Sequence, residues 1–233
     1  MSSHHLMLLL WPGIATGLLA AAIAFALARF LVPRLPEPEP EAGDDFVKPL
    51  YRELVGPRMV LPAVALGLAG GVLAPLTGGM VWATVALAGA GAALVVVDAH
   101  TTYLPWPLHL LTLALVVLGG GIDLLAGADR GWAPTLLGAG FGAVASHALF
   151  WLVWRLGNGL GYGDVRLAAV VGAVSGAMGV QFWWHSLLAA SIVGALAGLL
   201  IAAWRRRHPS ALGTAFAYGP ALWAGPFLVL VLG

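Results

Sequence analysis

The chain has 233 residues, of which 61% are hydrophobic and 9% charged, with a net charge of +1. Soluble domains carry about 25% charged residues, so this composition excludes a water-bounded globule and makes lipid the natural solvent, while the near-neutral balance is too small to imply a nucleic-acid partner, and none is expected. The absence of cysteine excludes disulfides, thiolate metal sites and a cysteine nucleophile.

Eight apolar segments are predicted as helices: Leu6–Phe30, Met59–Pro75, Met80–Val97, Leu104–Ala126, Trp132–Trp154, Val165–Trp183, Ser186–Trp204 and Leu212–Leu232. Each approaches the ~20 residues that cross a hydrocarbon core of ~30 Å. Backbone groups in lipid must pair within their own segment, which favours helices. Continuous apolarity argues against a barrel, whose strands alternate. The expected fold is therefore all-α, a polytopic membrane protein forming a single domain over 1–233, with a bundle of about eight transmembrane helices. The first segment has no positive n-region and no clear cleavage site, so it is read as a retained helix. His4 and His5 beside it are read as incidental.

The connection between the first two segments, residues 31–58, contains Pro-Glu-Pro-Glu-Pro-Glu from 36 to 41. Alternating proline and acid favours an extended, solvated chain, with partial order expected near Phe46–Leu54. Glycine- and alanine-rich stretches at 67–74 and 86–94 allow close helix approach. The Gly194/Gly198 pair is read as packing within the bundle.

Basic residues set the orientation. With eight spans, Arg29, Arg34, Lys48, Arg52, Arg58, Arg155, Arg166, Arg205, Arg206 and Arg207 fall on one side, and Arg130 on the other. That side is expected to be cytoplasmic. Glu37, Glu39, Glu41, Asp44, Asp45, Glu53, Asp123 and Asp129 are expected where solvent reaches them. The two remaining acids are Asp98, ending the third span, and Asp164, opening the sixth. Ionisable groups at the ends of an apolar bundle are functional candidates, although Asp164 alone could also serve as an N-cap.

Asp98 and Asp164 share one side of the membrane and a similar depth. Two neighbouring carboxylates do not readily ionise together, so one acts as acid and the other as base. That state suits peptide hydrolysis by an activated water. Asp98 is followed seven residues later by Pro105, suited to a helix start. Asp164 ends Gly161-Tyr162-Gly163-Asp164, where Gly161 and Gly163 permit close approach of another chain. The histidines His109, His147 and His185 lack metal-ligand spacing, and no metal site or cofactor is expected.

At these residues the sequence resembles the type IV prepilin peptidases. Residues 161–173, GYGDVRLAAVVGA, are similar to that family's glycine-x-glycine-aspartate segment, with Arg166 in the position usually held by lysine. Residues 95–105, VVVDAHTTYLP, are similar to its other signature, an aspartate followed seven residues later by proline. Pro220-Ala221-Leu222 resembles the Pro-Ala-Leu motif of presenilin-type proteases. The resemblance implies an aspartic endopeptidase of the bacterial or archaeal cytoplasmic membrane that removes the leader of prepilins or pseudopilins at the cytoplasmic face. It implies Asp98 and Asp164 as the catalytic pair, with Gly161, Gly163, Arg166 and Pro105 supporting them and His100 and Pro220 as candidate modulators. The implied partners are the pilin-like substrate and the lipid bilayer. The chain departs from the family at His100, where many members have an acid, and at Trp106, often Asp or Asn. Bifunctional members also carry a cysteine-bearing insert and N-methylate their product, so methyltransferase activity is expected to be absent. The alternative is an ion- or proton-coupled transporter using the same aspartates as a relay, although such carboxylates usually lie near the midplane.

Overall fold

The computed structural model describes residues 3–37, 49–127, 129–157, 160–208 and 216–233, with side chains from residue 11 onward. Among these residues there are eight α-helices and no strand: α1 (Ser3–Ala26), α2 (Pro57–Leu73), α3 (Val81–Thr101), α4 (Trp106–Leu125), α5 (Trp132–Leu156), α6 (Tyr162–Ala177), α7 (Val180–Arg205) and α8 (Gly219–Leu232). Six apolar stretches are long enough to cross a membrane, one each through α1, α2, α3, α4, α5 and α7. The protein is a multi-pass membrane protein of α-helices. The 16 residues of α6 and the 14 of α8 are fewer. At ~1.5 Å per residue they extend about 24 and 21 Å, short of the ~30 Å core.

The eight helices correspond to the eight predicted segments, with the boundaries on both sides of α6 displaced. The predicted segment Val165–Trp183 is cut at Gly179, whose φ is +123°. Glycine adopts that torsion readily, so α7 starts at Val180 instead of Ser186, and α6 starts at Tyr162. The acidic part of the 31–58 connection with Lys48, the beginning of the eighth apolar segment, and the side chains of His4 and His5 lie outside the described residues. Where the connection is described, Glu37 accepts from the backbone N–H groups of Tyr51 (2.9 Å) and Arg52 (3.2 Å). This ties a short 3₁₀ turn at Tyr51–Glu53 to the end of the first span. Burial, with Glu37 adding its charge, pushes the Tyr51 phenol above its ordinary value.

The centre of the bundle is α3. It packs against α1, α2, α4 and α8, and every residue from Ala83 to Asp98 is buried. Small residues make this possible. A Cβ on Gly89 would lie 2.8 Å from the Ala20 carbonyl oxygen, so the α1 backbone occupies the space a side chain would need. The same device joins α5 to α6, where Gly138 and Gly142 face Gly176 and Gly172 backbone to backbone. In lipid, where tails are as apolar as leucine, such close approach is a main source of helix association. Gly194 meets the ring of Tyr218, and Gly198 lies near Phe216, so the GxxxG pair packs within the chain. The Trp223 indole donates to the Leu87 carbonyl at 2.9 Å and fixes α8 along α3.

One acid contradicts its expected position. Asp123, placed by sequence in solvent, is buried at 3% exposure. Its two oxygens accept from the backbone N–H groups of Trp82 (3.0 Å) and Ala83 (2.9 Å). It caps the N-terminus of α3 from α4, because Met80, at the N-cap, supplies no side-chain cap of its own.

Candidate active site

The end of α3 opposite Asp123 carries Asp98 in its last turn. The helix closes at Thr102, whose N–H donates to the Asp98 carbonyl. Thr102 has φ +57°, the one positive φ among described non-glycine residues. A β-branched residue is disfavoured there, and the turn redirects the chain toward Leu104 and Pro105. Pro105 is the N-cap of α4, one position before the helix proper, and its φ of −60° suits the entry.

On the facing helix, Gly161 is the N-cap of α6, and Asp164 occupies the third helical position. The expectation that Asp164 could itself be the N-cap is corrected, since α6 begins earlier than its apolar run. The Gly161 N–H donates to Asp164 Oδ2 at 3.1 Å, while Oδ1 is buried without a hydrogen-bond partner. Gly163 lies against Leu104, where an added Cβ would come within 2.8 Å of the Leu104 Cβ. That contact fits the start of α6 against the entry to α4.

Asp98 and Asp164 are both buried, at 3% and 6% exposure, and lie within electrostatic reach of each other. A third element completes the surroundings. The Gly219 N–H, opening α8, donates to Asp98 Oδ2 at 3.0 Å. A Cβ on Gly219 would lie 2.6 Å from the same oxygen, so only glycine brings the α8 backbone this close. The preceding Tyr218 shares a side-chain hydrogen bond with Ser191 and feels the Asp164 charge.

The remaining predicted residues are distributed around this centre. Pro220 is half-buried in the first turn of α8 and lines a half-open cavity of about 270 Å³ with Ala99, Thr102, Val193 and Phe216. His100 is half-buried, and its Nδ1 pairs with the Val96 carbonyl at 2.8 Å, so its hydrogen bond goes back into its own helix. The Arg166 guanidinium lies over the rings of Trp106 (4.8 Å) and Tyr162 (5.4 Å). Among the described residues, no group of three or more His, Cys, Asp or Glu is arranged to hold a metal ion. Sequence reasoning did not find Gly219 and Tyr218 as neighbours of the pair, because a backbone donor 121 positions away leaves no local pattern.

The family model described as the type IV leader peptidase family matches residues 85–201, which include both aspartates. A prepilin leader peptidase/N-methyltransferase of Burkholderia pseudomallei is 33% identical over 194 residues, covering 78% of this chain and 57% of that protein. Proteins of the same description from Pseudomonas aeruginosa and Pseudomonas putida are 32% and 34% identical over 143 and 131 residues, covering 60% and 54% of this chain and 46% and 43% of theirs. The chain thus spans about half the length of the relatives it matches. No solved structure matches it.

Proposed function

Because the chain belongs to the type IV leader peptidase family, we propose that it is an aspartic endopeptidase that removes the N-terminal leader from prepilins or pilin-like proteins. The observation that carries this reading is the burial of two carboxylates within electrostatic reach of each other, Asp98 at the end of α3 and Asp164 at the start of α6. In the reaction, the ionised carboxylate takes a proton from water as its oxygen attacks the scissile carbonyl carbon. The protonated partner gives its proton to the carbonyl oxygen. A proton then passes to the amide nitrogen, the C–N bond breaks, and a new carboxyl group and a free amine leave. The pair works as a unit, so neither aspartate is permanently acid or base.

Several groups support the pair. The Gly219 N–H orients Asp98 and the Gly161 N–H orients Asp164. Pro105 and Gly163 hold the α4 and α6 starts together through Leu104. Arg166 braces the first turn of α6, and Pro220 shapes the cavity beside Asp98. His100, tied to Val96, acts on the pair only at a distance. The site is proposed to face the cytoplasm of the inner membrane, since with eight spans ten of the eleven basic residues fall on one side, which the positive-inside rule makes cytoplasmic. A leader that is itself on the cytoplasmic side would meet the aspartates there. The helix-end position of both carboxylates speaks against a midplane ion relay.

The relatives' names carry N-methyltransferase as well as peptidase. For this chain we propose leader cleavage without methylation, on the strength of its cysteine-free sequence. The test incubates the purified protein in detergent with a leader-bearing prepilin and S-adenosylmethionine, then determines the product's N-terminus by mass spectrometry. The expected product is one truncated, unmethylated chain. No truncation would remove the peptidase reading, and a methylated terminus would remove the second part alone.

A further inference from the structure

Trp106 and Arg166 were singled out by the sequence, and the hydrolytic chemistry does not require their pairing. The Arg166 guanidinium is held between the faces of Trp106 and Tyr162. No carboxylate pairs with it among the described residues, and its Nε is buried without an acceptor. His109, one turn along α4 from Trp106, stacks on the same indole at 5.7 Å and 14°. It is 4% exposed, its Nδ1 has no hydrogen-bond partner, and the Arg166 charge reaches it. Two buried polar nitrogens, one of them on a permanent cation, therefore gather around a single tryptophan. Leaving such atoms unpaired is costly, and an anion with several acceptor oxygens is the chemistry that would pair with them.

We propose that Arg166, His109, Trp106 and Tyr162 form a binding site for the phosphate of an anionic phospholipid at the membrane surface between α4 and α6. A phosphate accepts from the planar guanidinium in a way that suits Arg better than Lys. His109 contributes the tautomer that carries its proton on Nδ1. Trp106 and Tyr162 are 50% and 44% exposed at the helix ends, the level at which aromatic side chains meet headgroups. The choice of a lipid over a free phosphate rests on what continues from the site. Leu110, Leu113 and Val117 follow Trp106 at spacings of four, three and four residues. All three are exposed, so they form an apolar track along one face of α4 for an acyl chain.

Binding is read without any cleavage, so loss of the peptidase assignment leaves this test intact. The purified full chain in detergent is titrated with dioleoylphosphatidylglycerol and followed by native mass spectrometry. The expected result is one saturable lipid per chain, weakened at least tenfold by Arg166→Gln and by His109→Phe. Arg166→Lys, which keeps the charge but loses the planar fork, is expected to weaken it at least threefold. Sodium phosphate at the same concentration should not displace the lipid. Wild-type affinity in Arg166→Lys would overturn the built site in favour of diffuse charge. Displacement by sodium phosphate would overturn the lipid assignment. Should His109→Phe fail to fold, the Arg166→Lys comparison decides alone.

Discussion

The two ends of α3 each have an aspartate, and the two carboxylates are kept in opposite ways. At the N-terminal end, Asp123 accepts two backbone N–H bonds at 2.9 and 3.0 Å. It sits where the helix dipole favours an anion. At the C-terminal end, Asp98 belongs to the last turn, where the dipole disfavours negative charge. It receives one backbone N–H bond, from Gly219, and faces a second carboxylate, Asp164. A buried acid satisfied by a helix N-terminus serves the fold. A buried acid held by one bond beside another acid is a costly arrangement, and the proposed chemistry gives it a reason.

The sharpest way to test this contrast is to neutralise each end. Asp98→Asn or Asp164→Asn should lower the cleavage rate by about 10³-fold or more, with no loss of thermal stability. Gly219→Ala should come next, because its Cβ would displace Asp98 Oδ2. A shift near 1 Å at a reacting group costs about 10²-fold, visible in kcat with the melting temperature nearly unchanged. Asp123→Ala should reverse the pattern. Losing two charge-assisted bonds to α3 should cost about 3 kcal/mol of stability, read as a lowered melting temperature, while cleavage per folded molecule stays near wild type. If Asp123→Ala removed cleavage as thoroughly as Asp98→Asn, the contrast between the two ends would collapse. Gly163→Ala, pressed against Leu104, should slow cleavage about tenfold, which is ~1.4 kcal/mol in the barrier. The smallest effect is expected for His100→Ala, because its hydrogen bond goes to Val96 rather than to the pair.

Much of this was legible in the chain. Apolar length predicted the eight helices, because lipid leaves the backbone no other option. The sorting of acids isolated Asp98 and Asp164, because so few charges are left once the connections are removed. What the sequence hid was of two kinds. The boundary between α6 and α7 lies inside a continuous apolar run, and hydropathy cannot see the torsion at Gly179 that breaks it. Likewise Asp164 is helical before its own apolar stretch begins, so the start of α6 is visible only through the Gly161 bond. The second kind was distance along the chain. Asp123 looked exposed because nothing local announces a cap on a helix 40 residues earlier. Nothing near Gly219 in the sequence announces that its N–H reaches Asp98, 121 positions away.

The proposed mechanism needs two aspartates acting together, and the most direct measurement is leader cleavage by single variants. Wild type, Asp98→Ala and Asp164→Ala are purified in the same detergent and checked for matching helicity. Each is then incubated with a leader-bearing prepilin, and the product is read by mass spectrometry. Cleavage is expected from wild type and from neither variant. Cleavage retained by one folded variant would contradict the two-aspartate mechanism, whichever residue it was.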